Sequence, residues 1–241
     1  MADRAAARFI IDIGFTCLAI ATAIASYVLL GPPDVPAQIC EGTGAPRYAE
    51  LYADQRLTVA VVIGELSGGA ADHNAWSERA LVRALRERGF TETARGHFEL
   101  GDTAIDIQLL PNDRPTLSAA LTTALVDHDV VYYTGHNNEG ELDLQAPAAY
   151  RIIMMDTCFS TQFYSAKLVG PNRDVIGNRE RAVTGSIESV VTLIDGLHAR
   201  MAWQALTANL DERAQIRVRS RTGRTALVDA EDYSLDTRCS D

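Results

Sequence analysis

Lysine is almost missing from this chain: Lys167 is the only one in 241 residues, and arginine supplies every other basic side chain. The formal net charge is -10, and no run of basic residues follows a helix or a strand. A nucleic-acid backbone would be repelled, which excludes nucleic acid as a partner. The skew toward arginine reflects a GC-rich genome and says little about function. Cysteine is scarce as well. Cys17, Cys40, Cys158 and Cys239 form no C-x-x-C pair and have no neighbouring histidine at zinc-site spacing, so no structural metal is expected. The loop GELSGGAADHN (64–74) contains neither G-x-G-x-x-G nor a P-loop lysine, which argues against a nucleotide-binding domain; no cofactor is expected. Repeats and low-complexity stretches are absent. With 47% hydrophobic and 22% charged residues, the chain has the composition of a packed domain rather than a disordered one.

What is present begins with an apolar run. Residues 9–30, FIIDIGFTCLAIATAIASYVLL, are interrupted by one charge, Asp12, close to the start. As a helix, 22 residues span the bilayer core of about 30 Å. Arg4 and Arg8 precede the run and acidic residues follow it, so the positive-inside rule keeps residues 1–8 in the cytoplasm. An uncleaved single-pass anchor is the preferred expectation. A cleaved signal peptide with Ala23-Ile24-Ala25 before its cut is the alternative, giving a secreted protein. Both export the domain, to a periplasmic or extracellular space. In an oxidising compartment Cys40 and Cys239 are the two cysteines left to pair, since Cys17 lies in the apolar run and Cys158 must stay reduced.

Residues 31–56, with Pro32, Pro33, Pro36 and Pro46, read as a linker, and 57–220 as the domain. Residues 221–241 read as an acidic, solvated tail. Strands are expected at 57–64, 104–111, 130–135, 151–156, 181–186 and 215–220. Helices are expected at 74–90, closed by Gly89, at 116–126, just after Cys158, and as one long helix from about 190 to 210. In the first of these, Trp76, Ala80, Leu81, Ala84 and Leu85 share one stripe. The alternation predicts an α/β fold, a mostly parallel central sheet with helices on both faces.

The ligand crevice of such a sheet lies outside the carboxyl ends of its strands. VVYYTG (130–135) delivers His136 there, and RIIMMD (151–156) delivers Cys158. A cysteine nucleophile needs an imidazole to exchange protons with it and donors for a developing oxyanion. Either residue alone would be read as a polar loop residue or a small buried hydrophobe. Their arrival at one sheet edge is what suggests chemistry.

The segments VVYYTGH and RIIMMDTCFS resemble the two catalytic blocks of the caspase-like superfamily of cysteine peptidases, which includes caspases, metacaspases, legumain and gingipains. The likeness runs from about Leu57 to Leu210. It implies a caspase-like three-layer sandwich, Cys158 as nucleophile and His136 as general acid/base, with peptide or protein as substrate. It implies backbone N–H groups of Asn137 and Cys158 as oxyanion donors. Asp156 matches the metacaspase residue of the S1 pocket and Thr134 stands at the pocket serine, which implies basic P1 residues. Asp156 reads equally well as a cap on the following helix. Ser186 and Glu188, after the fifth expected strand, read as a pocket wall or as a helix N-terminal capping sequence. The chain departs from the family at Asn137 and Thr161, where relatives carry glycine, and it lacks the second pocket acid. These departures motivate the alternative of a catalytically weak domain serving as a binding or regulatory module.

Overall fold

The strand over Leu57–Gly64 is a run of β-branched and apolar residues whose side chains alternate between two buried faces, as a strand covered on both sides requires. In a computed structural model of the chain, which describes residues 45–65, 71–145, 148–168, 172–178, 187–210 and 235–238, this is β1. The other elements in chain order are α1 (Tyr48–Leu51, preceding β1), α2 (Ala71–Glu87), β2 (Thr91–Ala94), β3 (His97–Leu100) and β4 (Thr103–Leu110). They are followed by α3 (Arg114–Asp127), β5 (Val130–Thr134), β6 (Arg151–Asp156), α4 (Ser160–Leu168), β7 (Arg173–Asn178), α5 (Ile187–His198), α6 (203–210) and β8 (Leu235–Arg238).

One mixed sheet runs β2-β3-β4-β1-β5-β6-β7-β8. Its centre, β4-β1-β5-β6-β7, is parallel, and antiparallel strands close each side. Helices cover both faces. Val59, Val61, Tyr132, Met154 and Ile176 meet α2, α5 and α6, while Ala60, Val62, Val131, Ile153 and Met155 meet α3 and α4. Burial of each large aliphatic side chain contributes about 1.5–3 kcal/mol, and these two layers are where the fold's stability is concentrated.

Helix ends follow the chain's turn chemistry. At the end of α2, Gly89 (φ 89°) takes the left-handed position, with Phe90 N–H on Leu85 O (3.1 Å) and Gly89 N–H on Arg86 O (3.0 Å). At α3, the Asp113 side chain accepts from Thr116 N–H at 3.0 Å. The same closing motif that ends α2 interrupts the long helix expected over 190–210. Met201 N–H reaches Gly196 O (3.0 Å) and Arg200 N–H reaches Leu197 O (3.1 Å), with Arg200 at φ 52°. Because arginine rather than glycine holds that position, the break carries no sequence signal.

Other expectations are corrected. Residues 45–56 are not all linker: Leu51 is buried, Tyr48 Oη donates to Met201 O at 2.7 Å, and Arg47 N–H donates to Tyr150 Oη at 3.3 Å. The strand beside β6 is 173–178, and β8 lies in what reads as a solvated tail. Trp76 does not join the core. The residues of α2 facing the sheet are Ser77, Leu81 and Leu85, four apart, which leaves Trp76 on the rim at 47% exposure. Among the described residues no helix is long and apolar enough to cross a membrane. The 9–30 segment, the strands expected at 181–186 and 215–220, Ser186, Cys40 and Cys239 lie outside the described residues.

Candidate active site

β5 and β6 are parallel neighbours in register, Val130 opposite Ile152 through Thr134 opposite Asp156. His136 and Cys158 each follow that last pair by two residues. Neighbouring strands are about 4.8 Å apart, so the two side chains leave the same edge at adjacent positions. A second link joins the loops: Asn137 Nδ2 donates to the Cys158 carbonyl at 3.0 Å. His136 is exposed and Cys158 is half-buried, which leaves both within reach of a substrate at the rim.

The histidine loop is held from beneath. Tyr133 Oη donates to His136 O at 2.9 Å, Asn138 Nδ2 donates to the same oxygen at 3.1 Å, and Tyr164 Oη donates to Asn137 O. Lys167, the chain's one lysine, donates to Gly140 O. Burial, with Tyr164 nearby, raises the Tyr133 hydroxyl well above its ordinary pKa, and burial pushes Tyr164 up to about 12. Both phenols therefore remain donors at any physiological pH. Gly135 makes the close approach possible, because a Cβ there would lie 2.7 Å from Tyr133 Oη and 3.2 Å from the Gly64 Cα. The left-handed turn of this loop falls on Asn138 (φ 48°) and not on Asn137. Asn137 is thus free of backbone strain, and its side chain ties the two loops together.

The cysteine turn is braced by β7. Ser160 Oγ donates to Met155 O (2.5 Å) and accepts from Asn178 N–H (2.8 Å), which fixes the start of α4 against that strand. Gly177 permits the contact, since a Cβ there would sit 3.0 Å from Ser160 Oγ and from Thr161 Oγ1. Phe159, next to Cys158, is held at φ 53°, a conformation that costs a non-glycine residue about 1 kcal/mol or more. The strained position is Phe159, not Thr161, which is buried in the first turn of α4.

Asp156 is fully buried. Tyr132 Oη donates to one carboxylate oxygen at 2.6 Å and Asn178 Nδ2 to the other at 2.9 Å. These bonds run sideways to β5 and β7, and α4 begins four residues on, at Ser160. Thr134, at 3% exposure, is the register partner of Asp156, so the two share one face. Glu188 lies on that side of the sheet. His198, at the end of α5, meets Thr103 at the start of β4, so α5 begins toward the carboxyl edge. There Glu188 is exposed and lines a groove of about 540 Å³ with Trp76, Ala80, Val191 and Asp195.

No protein-family model, curated protein or solved structure matches the chain. The edge of β5 and β6 gathers Thr134, His136, Asn137, Asp156 and Cys158. A thiol, an imidazole and the peptide N–H groups at Asn137 and Cys158 are the parts an acyl-transfer site needs. His128, at the other end of β5, bonds Asp106 at 2.9 Å, and His97 bonds the same carboxylate at 2.7 Å. Tyr132, Tyr164 and Asn178 had no signal in the sequence. Tyr132 sits within an apolar strand, Tyr164 within a half-polar helix, and Asn178 ends a short, half-polar strand.

Proposed function

We propose that this chain is a caspase-like cysteine endopeptidase, held by residues 9–30 at the outer face of a membrane. The observation that carries the reading is the paired exit of His136 and Cys158 from registered strands, tied by the bond from Asn137 to the Cys158 carbonyl. In this reading the Cys158 sulfur attacks the scissile carbonyl carbon while its proton passes to His136. The oxyanion is met by N–H groups of Asn137 and Cys158. Collapse breaks the C–N bond, and His136 returns the proton to the leaving amine. Water then hydrolyses the thioester, restoring the thiol.

Asp156 with Thr134 forms the floor of a P1 pocket, and the preferred P1 residue is basic because the floor carries a carboxylate. Glu188 belongs to its approaches. The full enclosure of Asp156 favours a second reading, a catalytically weak relative that binds partners through this edge. Alkylation by an arginyl chloromethyl ketone separates the two: a working peptidase is labelled at Cys158 quickly near neutral pH, and far more slowly once His136→Ala removes the base. A Cys158 equally inert in both proteins favours the second reading.

A further inference from the structure

Asn178, the last residue of β7, stands one step past the registered pair Met155 and Gly177, which makes it the neighbour of Asp156 across the sheet. It is fully buried. Its Nδ2 donates twice, to Asp156 Oδ1 at 2.9 Å and to the Thr157 carbonyl at 3.3 Å. The amide cannot be flipped, because its oxygen would then face two acceptors. That orientation leaves Asn178 Oδ1 buried with no hydrogen-bond partner, and Thr157 Oγ1, one residue from Cys158, is in the same state. A buried acceptor without a donor costs about 1–3 kcal/mol, so an orphan beside a carboxylate and a nucleophile calls for an explanation.

We propose that Asn178 is a specificity-determining residue whose amide oxygen, together with the Asp156 carboxylate, receives the guanidinium of an arginine at P1. This rests on the peptidase reading and deepens it. Asp156 already holds one donor on each oxygen, from Tyr132 and Asn178, so its charge is only part of what a cation would find. A guanidinium carries five N–H donors in a planar fork, enough to serve the carboxylate and the orphan amide oxygen together. The ammonium of lysine is a point charge on a flexible stem and cannot span two acceptors in one plane, so Arg is preferred over Lys. Because both residues are enclosed without substrate, admitting the side chain costs binding energy, and the selectivity appears in KM more than in kcat.

The test uses fluorogenic peptides differing only at P1, with Arg, Lys, citrulline or Ala, on the wild-type domain and on Asn178→Ala. Citrulline has nearly the shape of arginine but is neutral and replaces one donor by an oxygen. Wild type is expected to cleave the arginyl peptide at least thirtyfold better than the citrullinyl one. Asn178→Ala is expected to lose about thirtyfold in kcat/KM toward Arg, equivalent to about 2 kcal/mol, through KM. It should change less than threefold toward Ala and keep the iodoacetamide labelling rate of Cys158. Equal losses on Arg and Ala, as a purely structural or water-bridging amide would give, overturn the proposal. If Asn178→Ala does not fold, Asn178→Ser is measured alongside the wild-type ratio; Arg and citrulline cleaved alike overturns it equally. Wild type inactive on every peptide defeats the peptidase reading itself, and this inference with it.

Discussion

Asn137→Gly introduces the glycine that the resembled family carries after its histidine, and it is expected to damage this protein. The substitution removes the 3.0 Å bond from Asn137 Nδ2 to the Cys158 carbonyl, a part-buried link worth about 1 kcal/mol. It also frees a backbone that has no use for a left-handed conformation, since that role belongs to Asn138 at φ 48°. The added chain entropy costs about 0.5–1 kcal/mol more. Together these lower Tm by about 5 °C for a domain of this size. The larger effect is catalytic. The histidine loop would then lose this tie to the cysteine turn and lean more on the Tyr133, Tyr164 and Lys167 bonds beneath it. A displacement of about 1 Å between reacting groups costs on the order of a hundredfold in rate, and it falls on kcat because the substrate pocket is untouched. Asn137→Ala separates the contributions: it loses the bond but keeps an ordinary backbone, so it should match Gly in kcat while losing only about 1 kcal/mol of stability. Steady-state kinetics and thermal melts on the three proteins are the assay. A glycine variant as active as wild type, or more so, would refute the bridging role.

Three further outcomes follow from the same geometry. Asp156→Asn should lose about a hundredfold toward arginyl substrates and little toward neutral ones, with a stability cost of about 1–3 kcal/mol for the bonds to Tyr132 and Asn178; a uniform small loss in kcat/KM argues against a pocket role. Gly135→Ala should lower stability by about 1–3 kcal/mol and reduce kcat as well, because the new methyl must displace Tyr133 Oη at 2.7 Å or the Gly64 backbone at 3.2 Å; an unchanged melt and unchanged kcat would contradict the packing described. The raised pKa of Tyr164 and Tyr133 makes the fold sensitive to alkali. Their folded values lie above the unfolded value of about 10, so the contribution is complete below pH 10 and is lost as pH rises toward 12 and beyond. Tyrosinate absorbance should therefore appear together with unfolding, and complete titration near pH 10 in a protein still folded would refute the burial.

The sequence is informative where burial and turn chemistry act locally. β1 and β6 are continuous apolar runs, buried on both faces, and they match the expected spans at both ends. α2 ends where Gly89 takes the left-handed position. The hairpin of β2 and β3 escaped because the four residues of β2 are exposed and impose no apolar period. Its signal was the glycine turns Arg95-Gly96 and Gly101-Asp102, with Gly96 at φ 75° and Gly101 at φ 58°. α5 and α6 read as one helix because Arg200 supplies a break that glycine normally announces. At the candidate site, the shared sheet edge of His136 and Cys158 is legible because each stands two residues past the end of an apolar strand. The environment of Asp156 was not, since it depends on Asn178, which reaches it only through sheet order.

The central claim is that Cys158 and His136 act as a peptidase dyad, and cleavage-site profiling of a peptide library tests it most directly. Mass spectrometry on wild type, Cys158→Ala and His136→Ala should give a defined set of cut sites with wild type, dominated by arginine at P1. Cleavage should vanish in both variants while their melts stay near that of wild type, since both residues stand past the ends of strands and outside the core. Cut sites that persist in Cys158→Ala, or a wild-type protein that cuts nothing, would contradict the account.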